Sequence, residues 1–230
     1  VKNDPFVIYL ESIAMLRRFG LCLLGLLVAS SLLAIDKKPD ADGFVTIFDG
    51  TSLDGWKKSA EHQDSIQLKD GAIVANGDRC HLFYVGDEQP FKNFDFKCEV
   101  ITKPHSNGGI YFHTKYQDTN WPAQGHECQV NNTYDKDPQK TGGVYKVAKV
   151  LEAPAKDDEW FKYEIIVQGN HVVIKINDKV TADYTEDPEA LAKEKSVEPG
   201  RRVGEGTFAL QAHDPGSTVM YRNIKVKRLP

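Results

Sequence analysis

The sequence predicts an all-β domain of two packed antiparallel sheets, preceded by a cleavable export leader. Three observations predict it. Short apolar-alternating runs follow one another from residue 44 to the C-terminus, with turn residues about every 8–12 positions. One run, FDFKCEVIT (94–102), alternates without a break: Phe94, Phe96, Cys98 and Val100 on one face, Asp95, Lys97 and Glu99 on the other. A single stretch, PEALAKEK (188–195), reads as a short surface helix, with proline near its start and helix formers behind it.

The leader comes first in the chain. Met15 opens MLRRFGLCLLGLLVASSLLA, in which Arg17 and Arg18 precede an apolar run at 19–29. That run is too short to span a bilayer and is followed by the small residues Ala29, Ser30, Ser31 and Ala34. Cleavage after Ser30 or Ala34 fits the pattern equally. Met15 reads as the natural start and residues 1–14 as an upstream extension. An uncleaved anchor is the alternative; a lipid-modified Cys22 is disfavoured because Leu21 before it is not small. The division expected is 1–34 extension and signal peptide, 35–43 linker, and 44–230 one β-sandwich domain. The mature chain is then secreted or periplasmic, without stable membrane insertion.

The strands follow in order. FVTIF (44–48) is the first; IQLKDGAIVA (66–75) is a hairpin about Asp70-Gly71. HLFYV (81–85), the run at 94–102, GGIYFHTKY (108–116), GHECQVNN (125–132) and GGVYKVAKV (142–150) continue the series. WFKYEIIVQ (160–168) and HVVIKIN (171–177) flank a second tight turn at Gly169-Asn170. VTADY (180–184), GTFALQAH (206–213) and VMYRNIKVKRL (219–229) complete it. Alternation places Phe94, Phe96, Ile110, Phe112, Ile165, Val167, Val172, Ile174, Phe208, Leu210, Ile224 and Val226 inward.

Charge and cysteine content narrow the function. The formal net charge is −4, and without the leader 26 basic residues face 31 acidic ones. That balance provides no basic field for nucleic acid and no polybasic patch for lipid. Past the leader the cysteines are Cys80, Cys98 and Cys128, an odd number with no zinc spacing. Cys98 and Cys128 share faces with apolar residues and read as free core thiols.

Seven segments, in order, carry a resemblance: IFDGTSLDGWK (47–57), SNGGIYFH (106–113), GHECQVNN (125–132), TGGVY (141–145), EWFKYEIIVQGNHVVIKIND (159–178), FALQAHD (208–214) and YRNIKVKRL (221–229). Together they resemble the 3-keto-disaccharide hydrolase domain family across about residues 44–229. The resemblance implies a concanavalin A-like jelly roll whose concave sheet holds the ligand, and action on glycosides already oxidised at C3. His113 stands where that family commonly has arginine, and Asn177-Asp178 replaces its usual Asn-Gly.

Three strands present a polar face against an apolar one. Glu127, Gln129 and Asn131 share a face, as do Tyr111 and His113, and Gln211 and His213. These are side chains that read sugar hydroxyls, unlike the Lys and Glu of an ordinary solvated face. Trp121, in the loop TNWPAQG (119–125), is the candidate sugar platform, and Tyr145 a further substrate contact. Trp56, Trp160 and Arg222 read as packing or pairing residues, and His62, His81, His105 and His171 as surface residues. Ordinary glycoside hydrolysis needs two carboxylates across the bond. Glucanases of this fold carry E-x-D-x-x-E, by resemblance, whereas Glu127 here is followed by Cys, Gln, Val, Asn and Asn. A 3-keto sugar needs only one base, since the ketone acidifies the neighbouring C–H. Glu127, His113 and His213 are the candidate catalytic residues. A divalent cation at Glu127 and a histidine is compatible with this chemistry, but no metal motif argues for one. The competing reading is a non-catalytic carbohydrate-binding module; a structural envelope domain is the third.

Overall fold

The computed structural model describes residues 38–230. The leader at 1–34 lies outside the described residues. Thirteen strands, one α-helix and one short 3-10 helix (Gln63–Ser65) occur among the described residues. They are β1 (Val45–Phe48), β2 (Trp56–Lys58), β3 (Ile66–Lys69), β4 (Ala72–Asn76), β5 (Cys80–Tyr84), β6 (Phe94–Thr102), β7 (Gly108–Thr114), β8 (His126–Val130), β9 (Phe161–Gln168), β10 (His171–Ile176), β11 (Lys179–Thr185), α1 (Pro188–Lys193), β12 (Thr207–Ala212) and β13 (Thr218–Arg228). One sheet runs β11-β10-β9-β6-β13-β4-β3, with β1 also paired to β13; the other runs β2-β5-β12-β7-β8. The result is the jelly-roll sandwich expected.

The larger sheet shows why the alternation matters. Val226, Phe96, Ile165, Ile174 and Ala182 lie opposite one another across β13, β6, β9, β10 and β11. All five are buried, so the row forms a continuous apolar band. Phe208 from the facing sheet packs on it, with ring centroids 4.9 Å from Phe94 and 4.7 Å from Phe96. Every residue expected inward belongs to this core. Cys80, Cys98 and Cys128 are free and buried.

The turns follow local chemistry. Asp70 and Gly71 both take positive φ in the β3–β4 hairpin. Asn177 and Asp178 do so between β10 and β11, where Asp178 tolerates φ 66° in the position usually left to glycine. Asp187 caps α1, accepting from the backbone N–H groups of Glu189 and Ala190.

Two strand assignments differ from expectation. Trp56–Lys58 is a strand the sequence did not reveal: three residues are too few for a period. Residues 142–150 are not a regular strand. Gly142 and Tyr145 donate backbone hydrogen bonds to Gln129 and Glu127 of β8. Lys146 then takes φ 68°, and Ala148 closes a turn onto Val144. That turn ends the pairing and leaves Tyr145 beside Glu127.

Candidate functional site

The front face of the smaller sheet carries two cross-strand rows. Phe83, Ala209, Tyr111 and Glu127 lie in register in one. In the other, His81 lies opposite Gln211, and Gly109 opposite Gln129. Gly109 matters here: a Cβ at that position would run into the Glu127 side chain. Its absence leaves room for Gln211 to reach Glu127 across the sheet.

Glu127 is the centre of this face and is 7% exposed. Tyr111 donates its hydroxyl to Oε2 at 2.6 Å, and Gln211 donates Nε2 to Oε1 at 3.0 Å. Burial pushes the carboxyl above its ordinary 4.5, outweighing the opposing pull of Tyr111, Arg201 and Gln211. Gln129 donates Nε2 to Asn107 at 3.1 Å. The Oε1 atoms of Gln129 and Gln211 and Nη1 of Arg201 are buried with no hydrogen-bond partner. Buried polar atoms are normally paired, so three orphans around one carboxylate mark a face built for a polar ligand.

A cleft of about 270 Å³ opens over these groups, bounded by Trp121, Tyr145, His213 and Arg201. His213 donates or accepts through Nδ1 with Asp214 at 2.7 Å, and its ring lies 5.3 Å from that of Trp121. Asp214 also accepts from Ser217 Oγ at 2.8 Å. Burial raises its carboxyl, but the His213, Ser217 and Gly216 hydrogen bonds win, leaving it below its ordinary 3.8. An ionised Asp214 therefore orients the His213 imidazole. Trp121 is 39% exposed at the rim, as a platform requires. Burial pushes the Tyr145 phenol up to about 12, so it is a neutral group. A larger hollow of about 590 Å³ lies on the outer face of the other sheet. Its lysines Lys97, Lys162, Lys175 and Lys225 are each paired with a carboxylate, so it presents a solvated charge network.

The sequence itself matches the 3-keto-alpha-glucoside-1,2-lyase-like domain over residues 43–227. The chain belongs to that family. It is 27% identical to a 3-keto-disaccharide hydrolase of Bacteroides thetaiotaomicron, across 88% of this chain and 84% of that protein. A candidate glycosyl hydrolase from Parabacteroides distasonis has a similar fold: TM-score 0.69, 22% identity, covering 83% of this chain and 95% of that one. A carbohydrate-binding module, CBM66 of Bacillus subtilis, shares the fold at TM-score 0.54 and 14% identity, over 75% of this chain and 95% of that one.

In this member of the 3-keto-alpha-glucoside-1,2-lyase-like family, seven of the nine sequence-nominated residues meet at the cleft: Glu127, His213, Tyr111, Gln129, Trp121, Tyr145 and Gln211. His113 and Asn131 do not. His113 takes φ 55°, and the β7–β12 register slips at that point. Two residues of β7, Phe112 and His113, thus oppose Phe208 alone. The bulge breaks the alternation and turns the imidazole onto the core ring of Phe94, 5.4 Å away. Its Nε2 lies 2.9 Å from the Lys92 carbonyl and its Nδ1 accepts from the Gly204 N–H at 3.0 Å. Both nitrogens are spent on backbone, so His113 is a loop anchor and not a proton-transfer group.

Asn131 follows the last residue of β8 and is fully buried. Its Nδ2 donates to the carbonyls of Tyr134, Asp137 and Gln139, and its Oδ1 accepts from the Tyr134 N–H. It holds the loop that walls the cleft. Asn131→Ala should lower the unfolding free energy by roughly 1–2 kcal/mol, since three loop carbonyls lose one of two donors and the Tyr134 N–H loses its acceptor. Urea denaturation checks this; an unchanged midpoint refutes the role.

His81 also differs from expectation. It is fully buried, packed edge-on against Tyr111 and Trp121 with centroids 5.5 Å from each. Burial pushes its pKa down to about 3, so the ring is neutral. Arg201, Asn107 and Asp214 are site residues that sequence reasoning missed. Asp214 was within reach, as the neighbour of His213. Arg201 lies in an irregular stretch with no period to place it. Among the described residues no group of three or more His, Cys, Asp or Glu is arranged to hold a metal ion. No helix among them is long and apolar enough to cross a membrane.

Proposed function

We propose that this chain is an exported glycoside-processing enzyme that cleaves 3-keto-disaccharides or 3-keto-glycosides. One observation carries the reading: a buried carboxylate in the cleft, Glu127, held by Tyr111 and Gln211 and ringed by unpartnered polar atoms. Membership of the family and likeness to a 3-keto-disaccharide hydrolase support a glycoside ligand. The geometry suits elimination followed by hydration. Glu127 takes the C2 proton, and the C2–H electrons form C2=C3 as the ketone oxygen becomes an enolate. The enolate collapses, C1=C2 forms, and the C1–O bond breaks with its electron pair leaving on the departing sugar. His213, oriented by Asp214, protonates that oxygen. Water then adds across C1=C2, giving net hydrolysis. No second carboxylate is needed, consistent with the absence of E-x-D-x-x-E.

The test is incubation of the purified chain with 3-keto-trehalose, 3-keto-lactose and the unoxidised parents, with and without chelator. Cleavage of the keto sugars alone is the expected result. Binding of an unoxidised glycan with no cleavage of any substrate would instead make the domain a carbohydrate-binding module. Export rests on the short apolar run at 19–29 and the small residues behind it. N-terminal sequencing of the exported form should begin between Ser31 and Lys38; retention of Met15 refutes it.

A further inference from the structure

We propose that Arg201 is the residue that recognises the C3 ketone, donating a hydrogen bond to its oxygen and stabilising the enolate that forms there. The inference rests on the 3-keto reading above and names the group that reading lacks, a donor at the developing oxyanion.

Arg201 is 8% exposed, and its guanidinium lies 5.1 Å from the centre of the Tyr111 ring, beside the hydroxyl that holds Glu127. Its nearest ion-pair partner is Glu198, 3.6 Å from Nε, and Glu198 is half-exposed and already bound to Lys146 at 2.7 Å. No ion pair joins Arg201 to Glu127 among the described residues, although both line the cleft. Nη1 therefore remains unspent in a buried site. The other unpartnered buried atoms lining the cleft are the amide oxygens of Gln129 and Gln211. Carbonyl oxygens accept from sugar hydroxyls but repel an anion. The amide nitrogens of both glutamines are occupied, and the Tyr111 hydroxyl is given to Glu127. Of the unpartnered buried atoms that line the cleft, the guanidinium nitrogen is thus the one that can donate to an oxygen that gains charge.

The loop that bears Arg201 is pinned on several sides. Gly200 accepts from the Gly125 N–H at 3.1 Å, and a Cβ at Gly200 would overlap the Ala123 carbonyl. Buried Glu186 accepts from the Val203 N–H at 3.1 Å and meets His126 of β8 at 2.7 Å. His113 takes the Gly204 N–H. Both β7 and β8, which carry Tyr111 and Glu127, therefore hold the loop. A donor fixed in advance costs no reorganisation when charge develops. Its hydrogen bond strengthens as the neutral ketone oxygen becomes anionic, so its effect falls on turnover more than on binding.

The experiment follows loss of C2 deuterium and cleavage of C2-deuterated 3-keto-trehalose by NMR, with thermal melts as the folding control. Arg201→Ala should lower kcat about 10²–10³-fold with little change in KM. Added guanidinium ion should restore part of the exchange, and should restore none in Glu127→Gln. Arg201→Lys should fall between wild type and alanine. A folded Arg201→Ala that exchanges at the wild-type rate overturns the inference. So does a loss confined to KM, or one that guanidinium does not relieve. If the alanine variant does not fold, undiminished exchange by Arg201→Lys overturns it equally. A wild-type chain that neither exchanges nor cleaves removes the 3-keto reading itself. Wild-type activity with an indifferent Arg201 removes only this inference.

Discussion

Glu127→Gln is expected to lower turnover of a 3-keto-disaccharide by roughly 10²–10⁴-fold, the usual contribution of a positioned base. Glutamine keeps the shape of the side chain and an oxygen for Gln211, but it cannot take a proton. The fold should not suffer. Burial raises the Glu127 carboxyl above its ordinary 4.5, so the folded chain holds that proton more tightly than the unfolded chain. The stability this contributes is present below pH 4.5 and is lost as pH rises through the folded value. At neutral pH the buried carboxylate is therefore a cost that glutamine removes. The variant should melt no lower than wild type at neutral pH, and its advantage should shrink on acidification. The same shift moves the acid limb of the wild-type kcat/KM profile upward from the ordinary 4.5, because only the ionised form acts as base. Full activity in Glu127→Gln would put the base elsewhere. A large fall in melting temperature at neutral pH would show that the carboxylate is structural.

Ile165→Asp is expected to be the most damaging change to the fold. Ile165 is fully buried on β9, opposite Phe96 on one side and Ile174 on the other. Aspartate there loses the apolar contacts and places a carboxyl among aromatic and aliphatic side chains with no donor. The cost should be roughly 5 kcal/mol, from lost burial plus an unpaired polar group. That is a large part of the ~5–15 kcal/mol that holds a typical domain folded. Ile165→Val, by contrast, should cost only about 1 kcal/mol. Urea denaturation of the two variants separates them; a near-wild-type midpoint for the aspartate variant would overturn the register of β9.

The local chemistry of the chain accounts for much of this molecule. Period-two alternation is a property of the strand itself, so β6 could be bounded at Phe94 and Thr102 from sequence alone. The same rule put Glu127 and Gln129 on one face and Cys128 and Val130 on the other, and aligned Tyr111 and Gln211 with the polar side. Paired positive-φ residues marked the hairpin at Asp70-Gly71, and the proline marked the helix at Pro188. The motif series pointed to the family.

Tertiary structure decided what a period cannot. His113 obeys the alternation on paper, but one extra residue opposite Phe208 turns it toward Phe94, and a bulge leaves no periodic trace. Asn131 lies just past β8, where the strand rule has stopped applying, and the loop carbonyls it binds come from residues 134–139. His81 reads as a strand-end histidine until Trp121 and Tyr111, 40 and 30 positions away in the chain, close over it. Arg201 belongs to an aperiodic loop, and what brings it to Glu127 is a set of contacts with Gly125, His126 and His113. Alternation along a strand is local and can be read from neighbours. The meeting of a loop arginine with a strand carboxylate depends on long-range packing, which exists only once both sheets have formed.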